Sequence, residues 1–427
     1  MTGTDSLLSR GAPAVLGMTP ERTEAADEYA ATGGYRDATG PGELLGHIAA
    51  AGLRGRGGAG FPVAVKLRAV RDAGAPPVVV ANGEEGEPGS VKDRWLLRAR
   101  PHLVLDGLAR AAAITGARRG YVYLADPVAG ERIRRALTER ETELPVEVIE
   151  TPHTYVAGEE TAVVRRINGG PALPTAKPPR PYEQGVGGAP TLIANVETLA
   201  RIALLAARPE ERRRTARATL VTLSGGSAGP LLAEVPYGTT LRTLARTQGT
   251  PEPVGALMGG LFGGLIGPRS LDLALDPDTL SAAGTALGCA AIRFLAPDEC
   301  PVSVAALAAR HLAAQSTRQC GVCVAGTGSI HDALTALASG TAEAGVHTNL
   351  HRWSTALPGR GACGLLDAAA GTAGSLLRAF PHLVSSHLDG PCPTCERDAR
   401  AARQLTVAVP KVTDRAETLP DSAPCPR

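Results

Sequence analysis

The sequence predicts a multidomain α/β chain in which a helix-covered parallel sheet is followed by a smaller sheet-plus-helix module and then a helical bundle. Three observations carry this. Apolar runs of strand length alternate with helical stretches from Pro77 to Ile149; short β-like runs broken by turn residues fill Ala218 to Ala296; beyond Cys300 the pattern turns helical. At 427 residues the chain has room for roughly two to four domains with developed cores.

Composition narrows the function classes. A net charge of +2 sets up no field for a polyanion, so nucleic acid is not an expected partner. Aromatics make up only 3% of residues, which leaves Val, Leu and Ala to build the core. Met1 to Gly17 lack the basic start and apolar block of an export signal, and the longest apolar stretch, Val254 to Gly267, is glycine-laced and too short to span a bilayer. The expectation is a soluble cytoplasmic protein with no direct membrane insertion. Eight cysteines in such a chain point to metal or redox use rather than disulfides.

Taken in order, residues 1 to 38 have no sustained period and read as a loosely held lead-in. A helical run, Leu44 to Leu53, leads into Gly52-Leu-Arg-Gly-Arg-Gly-Gly-Ala-Gly-Phe-Pro62, and a second helical pattern, Val63 to Val70, carries Lys66. Glycines at that density let backbone approach a ligand closely, and a helix N-terminus behind them suits a phosphate. An ordinary tight surface turn has the same composition. The loop has no Gly-Lys-Ser/Thr ending, which argues against a P-loop ATPase, and only loosely satisfies a dinucleotide fingerprint.

Pro77 to Asn82 has the length and apolarity of a buried parallel strand, and it is followed at once by Asn82-Gly-Glu-Glu-Gly-Glu-Pro-Gly89 with Lys92, Asp93 and Arg94 behind. An acidic, glycine-broken loop at a strand's carboxyl end is well placed for a site, although three close glutamates also suit a solvated turn. Next come a helix over His102 to Thr115, a strand from Gly120 to Ala125, a helix from Gly130 to Glu139 and a strand from Val146 to Ile149. Tyr155-Val-Ala-Gly-Glu-Glu-Thr161 then opens a helix with two carboxylates, which can cap N–H groups or reach a ligand. Prolines keep Lys177 to Pro190 extended, and Thr191 to Leu205 reads as a single capped helix containing Asn195, Glu197 and Thr198. Thr219 to Leu223 and Leu232 to Val235 read as strands and Thr240 to Thr247 as a helix. Gly255 to Gly267 reads as tight turns. Val302 to Ala314, Ile330 to Ser339, His347 to Leu357 and Gly364 to Phe380 read as helices.

On four stretches in this order, Gly52 to Lys66, Asn82 to Arg94, Tyr155 to Ala162 and Pro190 to Leu199, with Cys320-Gly-Val-Cys323 and Cys363 beyond them, the chain resembles the flavin-carrying, NADH-oxidising subunit of respiratory complex I and its relatives in soluble hydrogenases and formate dehydrogenases. The likeness covers about residues 40 to 388. It implies a Rossmann-like FMN/NADH-binding α/β domain (39–215), a small β-grasp module of the SLBB type (216–299) and a helical iron–sulfur domain (300–388), which the lead-in (1–38) and a polar tail with a Cys-x2-Cys pair (389–427), both read from the residues, flank.

Carried over by position, the resemblance implies that Gly55, Arg56, Gly57 and Gly58 line the FMN phosphate and ribityl chain, with Lys66 reaching the flavin or the dinucleotide. Asn82, Glu84 and Glu85 would face the flavin ring and ribityl hydroxyls, and Asn195 and Thr198 would complete the cradle. Tyr155, Gly158, Glu159 and Glu160 would close the nicotinamide pocket. Glu87 would meet the substrate dinucleotide and Phe61 would stack on it; Glu160 and Glu87 are the residues expected to orient the reacting nicotinamide. Cys320, Cys323 and Cys363 would ligate a [4Fe–4S] cluster.

The chain departs from the family pattern in places. The third cluster cysteine is Gly326, leaving three thiolates where a cubane takes four. A three-iron or open-site cluster, rescue by Cys392 or Cys395, and absence of a cluster all follow as alternatives. The Cys392–Cys395 pair fits one edge of a zinc or iron site and needs Cys425, a partner chain or the cluster region to complete it; a redox-active or inert pair fits equally. Cys289 and Cys300 read as buried small hydrophobes. Ala69 and Gly187 stand where relatives offer rings to the adenine, Glu84 replaces an aspartate, and Ala194 replaces the first asparagine of a pair. The expected function is an FMN-dependent oxidoreductase that accepts hydride from NADH and passes single electrons to a ferredoxin-like iron–sulfur partner. The alternatives are an FMN-containing docking subunit with a weakened NADH site, relaying electrons between ferredoxin-like partners, and a flavin-free scaffold.

Overall fold

The computed structural model describes residues 4–5, 14–36, 39–226, 228–398 and 405–414. The first sheet is four-stranded and wholly parallel, in the order Val146–Glu150, Gly120–Leu124, Val78–Asn82, Thr191–Asn195. From Val78–Asn82 the chain steps outward twice and then crosses back to the other side of its starting strand. The switch in strand order therefore falls between Val78–Asn82 and Thr191–Asn195, whose register pairs Asn82 with Asn195. Ligands of open α/β sheets bind at such switch points, outside the carboxyl ends of the strands.

Helices cover both faces, and the larger core lies where Pro101–Thr115 crosses Val196–Ala207. Gly107 permits that crossing, because a Cβ there would sit 2.0 Å from the carbonyl oxygen of Leu199. Val80, Tyr123, Val163 and Ile193 fill the opposite face.

Thr191–Asn195 corrects the sequence reading, which runs one helix through Thr191 to Leu205. Paired with Val78–Asn82, these five residues bury Leu192 and Ile193 in two cores at once. The helix starts only at Val196, where Asn195 Oδ1 accepts the Glu197 N–H at 3.0 Å.

The lead-in is also tied down more firmly than its composition suggests. Val15 and Leu16 are fully buried, their N–H groups donate to Glu234 Oε2 at 2.8 and 3.3 Å, and Tyr29 donates to Asp106 at 2.7 Å.

The second sheet is mixed, ordered Thr4–Asp5, Leu231–Pro236, Ala218–Gly225, Ala291–Leu295, Gly255–Leu257, Leu265–Ile266. Gly255–Leu257 and Leu265–Ile266 form a short antiparallel ladder where the sequence suggests turns alone. Helix Leu241–Gln248 packs on this sheet. A bundle of Pro301–Ala314, Gly321–Ser339, Val346–Ala356 and Leu365–Ala379 follows, with the shorter Pro381–His387 and Pro393–Asp398 after it. Residues 405–414 of the tail return to the first domain. There Val407 N–H donates to Pro88 O at 2.9 Å and Asp414 pairs with Arg132 and with Arg135, the latter at 2.7 Å. None of the described helices is long and apolar enough to cross a membrane.

Candidate functional site

The glycine loop closes on itself as a narrow bend: Gly55 N–H donates to Phe61 O at 2.9 Å and Val63 N–H to Leu53 O at 3.0 Å. Its outer edge is open in part, since Gly58 is bridged to Gly288 of the second sheet's module. Gly57 and Ala59 are exposed, Phe61 is 52% exposed, and Gly58 holds a φ of +110°, which glycine adopts without strain. No side chain caps the helix Val63–Arg71 behind it, so the Ala64 and Val65 N–H groups next after the one spent on Leu53 keep their capacity for an anion. Lys66, one turn in, donates to Ile193 O at 2.8 Å and lies 3.8 Å from Glu160; burial pulls its pKa below the usual lysine value.

Arg56 points inward. Its guanidinium donates to the carbonyls of Arg54, Ala216 and Ala218 at 3.0, 2.7 and 2.9 Å, so only its backbone faces the bend. Its N–H donates to Thr198 Oγ1 at 2.8 Å, which makes Thr198 an anchor of the loop. Beneath lies a buried charge network. Asn195 Nδ2 donates to Asp93 at 2.7 Å, Lys92 bridges Asp93 at 2.7 Å and Glu197 at 3.1 Å, and Glu197 meets Arg201 at 2.9 Å. Burial opposes the charge on Glu197, but Lys92, Arg201 and Arg56 outweigh it and hold its carboxyl down at about 2. Asp93 goes the other way, pushed up to about 7, chiefly by burial.

The loop after Val78–Asn82 interlocks with the one before helix Glu160–Ile167. Asn82 Nδ2 donates to Gly158 O at 2.9 Å. A Cβ on Gly86 would lie 2.6 Å from Tyr155 O, and one on Gly158 would lie 2.9 Å from Glu84 O. Glu84 meets His153 at 3.1 Å. Glu85 accepts from the N–H groups of Asp93 and Arg94 at 3.1 and 3.2 Å, and from Ser90 Oγ; its carboxylate is spent on starting helix Lys92–Ala99. Glu87 accepts from Tyr155 Oη at 2.7 Å and from Leu261 N–H at 2.9 Å, and burial pushes its pKa up to about 7.

Glu159 caps helix Glu160–Ile167 through Thr161 N–H at 2.8 Å. Lys177 bridges Glu159 and Glu160 at 2.7 and 2.8 Å. Although burial works against it, the bond from Lys177 and the charge of Lys66 hold the Glu160 carboxyl below the usual range. As a lone lysine in a proline loop, Lys177 carries no local signal of a place in this site, and the same holds for the part that Arg201 plays beneath it.

Cys320 precedes helix Gly321–Ser339, Cys323 lies in its first turn and Cys363 stands just before helix Leu365–Ala379; all three adjoin one apolar cluster. The place of a further thiolate is filled. A Cβ on Gly326 would meet Leu366 Cδ1 at 2.8 Å and Leu357 Cδ1 at 3.0 Å. These residues do not fit a four-thiolate cubane. Cys392 and Cys395 lie with Cys300 and His387 in a group of their own, so rescue by that pair is set aside.

Residues 48–204 match the Nuo51 FMN-binding domain, and residues 303–387 match the NADH-ubiquinone oxidoreductase-F iron–sulfur binding region. The chain is 32% identical over 394 residues to the F 2 subunit of the NADH-quinone oxidoreductase of Rhizobium meliloti (strain 1021), covering 84% of this chain and 94% of that one. It is 28% identical to the HndC subunit of the NADP-reducing hydrogenase of Solidesulfovibrio fructosivorans, covering 87% and 82%. Among solved structures it is similar to a NAD+-reducing [NiFe]-hydrogenase in the H2-reduced state, with a TM-score of 0.73 at 28% identity, covering 84% of this chain and 65% of that chain. A relative this similar over nearly its whole length, sharing both an FMN-binding domain and an iron–sulfur binding region, settles the matter of kinship: the chain belongs to the family of NADH-quinone oxidoreductase F subunits.

Proposed function

We propose that this chain is an FMN-dependent oxidoreductase that accepts hydride from NADH and passes electrons singly to an iron–sulfur partner protein. The observation that carries the reading is the open glycine bend in front of an uncapped helix, beside the Asn82–Asn195 pair at the sheet's switch point. When bound there, FMN supplies the conversion that neither nicotinamide nor an iron–sulfur centre can make alone, taking electrons as a pair and releasing them one at a time.

The chain's own residues bind and align. The Gly57 backbone and the Ala64 and Val65 N–H groups in the first turn of helix Val63–Arg71 take the phosphate, with Lys66 supplying the positive charge. Asn82 and Asn195 stand at the strand ends where the ring and ribityl chain would lie. Glu160, kept ionised between Lys66 and Lys177, orients the nicotinamide, and exposed Phe61 offers a face to the adenine. The reductive half needs no side chain to move a proton, because hydride carries the proton with its electron pair; that proton would be released to solvent as the two electrons leave singly.

A second reading, an FMN-bearing relay between ferredoxin-like partners, is favoured by one feature. Ala69 and Gly187 leave Phe61 as the sole matching ring, and each lost stacking contact costs about 1–3 kcal/mol by analogy with nucleic-acid bases. An anaerobic comparison separates the two. Bleaching of the FMN-loaded chain by stoichiometric NADH supports the first reading, and bleaching by reduced ferredoxin alone supports the second. A chain that stays colourless after incubation with excess FMN overturns both.

A further inference from the structure

We propose that Cys300, His387, Cys392 and Cys395 form a structural zinc site that fastens the C-terminal tail to the helical bundle. The sequence offers only the Cys392–Cys395 edge, and Cys300 reads there as a buried small hydrophobe. The fold supplies the missing donors from far along the chain; Cys425 lies outside the described residues.

The four ligand atoms lie within 4.8 Å of one another. Cys300 Sγ is 3.5 Å from His387 Nε2, and Nε2 is 3.3 Å from Cys395 Sγ. Zinc bonds of about 2.3 Å to sulfur and 2.0–2.1 Å to nitrogen make tetrahedral edges of roughly 3.5–3.8 Å. The separations therefore suit four donors around one ion. A cubane, whose ligands attach to separate irons, holds its donors farther apart.

The groups that would orient these ligands are already in place. His387 Nδ1 is 2.7 Å from Leu383 O, which fixes the proton on Nδ1 and leaves the Nε2 lone pair turned toward the sulfurs. Cys395 N–H donates to Cys392 Sγ at 3.4 Å, the geometry of a Cys-x2-Cys turn folded round an ion. Cys300 stands at the start of helix Pro301–Ala314, where the positive end of the dipole favours a thiolate. His387 has no exposed surface, and Cys300 and Cys395 have 3% and 5%. A set of three thiolates and an imidazole in an apolar surround selects a soft divalent ion, and a closed tetrahedron leaves no coordination position for chemistry.

The site joins the start of Pro301–Ala314, the end of Pro381–His387 and the first turn of Pro393–Asp398. Beyond it Leu405 and Val407 are buried, and Val407 bonds Pro88, the neighbour of Glu87. The ion thus anchors the strap that lies along the Glu87 loop.

The test is metal content of the full chain purified from zinc-supplemented cells. A single tightly held zinc is expected, unchanged in the Cys320→Ser/Cys323→Ser/Cys363→Ser variant. It should fall at least tenfold in Cys300→Ser, His387→Ala and Cys395→Ser. His387→Cys, which keeps four donors, should retain zinc, and cobalt(II) in the wild type should show a tetrahedral thiolate spectrum. Zinc below about a tenth of an equivalent in the wild type, zinc that persists without Cys300 or His387, or iron in its place overturns the assignment. So does His387→Cys without zinc, which also covers the case in which the other variants fail to fold.

Discussion

Replacing Glu197 with glutamine removes one charge from beneath the glycine bend while leaving the shape nearly intact. Glu197 has no exposed surface; it accepts the Leu220 N–H at 2.9 Å and faces Lys92 at 3.1 Å and Arg201 at 2.9 Å. Its carboxyl titrates at about 2, against an ordinary 4.5. At ~1.4 kcal/mol per pH unit that displacement corresponds to about 3 kcal/mol of stability. Removing one partner of a buried ion pair costs ~3–5 kcal/mol, and the agreement sets the expected loss near the lower figure.

The assay is urea unfolding followed by Trp95 fluorescence in a Trp353→Phe background, since Trp95 is fully buried in the same core. The midpoint should fall with an unchanged denaturant slope. The pH dependence has a definite sign. Because the folded pKa is depressed, the contribution is complete above about 4.5 and disappears as the pH falls toward about 2. The gap between wild type and Glu197→Gln should therefore narrow on acidification. A loss below about 1 kcal/mol at neutral pH, or a gap that widens in acid, would refute this reasoning.

Three further outcomes are expected. The Glu87 pKa is raised, so its stabilising contribution is present below about 4.5 and is lost as the pH rises through about 7. Thermal melts should therefore show Glu87→Gln gaining on wild type between pH 5 and pH 8, by on the order of 1–3 kcal/mol; parallel curves would contradict this. In Gly86→Ala the new methyl meets two backbone carbonyls, at 2.6 and 2.8 Å, which no side-chain rotation can relieve. FMN titration should show affinity reduced by tenfold or more, roughly 1.4 kcal/mol or above. Gly326→Cys alone should leave iron per chain unchanged, because Leu366 and Leu357 occupy the space; iron should rise only when Leu366→Ala and Leu357→Ala are both added.

Much of the fold could be read from local patterns. Val78 to Asn82 and Gly120 to Leu124 declare themselves as buried parallel strands through unbroken apolar runs, and the bundle helices through their period. Thr191–Asn195 did not, because five residues running straight into a helix carry no period of their own and only the partner strand decides their state. Val15 and Leu16 show no pattern either; their places are set by Glu234, more than two hundred residues away.

The same division holds at the site. The glycine bend, Asn82 and the Glu159–Glu160 pair were legible as chemistry at strand ends and helix starts. The inward turn of Arg56, the capping duty of Glu85 and the salt link from Lys177 depend on neighbours that only the tertiary fold supplies. Cys300 and His387 illustrate this most plainly, each unremarkable in sequence and meaningful only beside Cys392 and Cys395.

The central claim is that the bend holds FMN by its phosphate. The most direct measurement is the affinity of the flavin-free chain for FMN beside that for riboflavin, which carries the same ring without the phosphate. Charge-assisted hydrogen bonds contribute roughly 1.5–3 kcal/mol each, so binding of one FMN per chain at least tenfold tighter than riboflavin is predicted. Equal affinity for the two, or no binding of either, would contradict it.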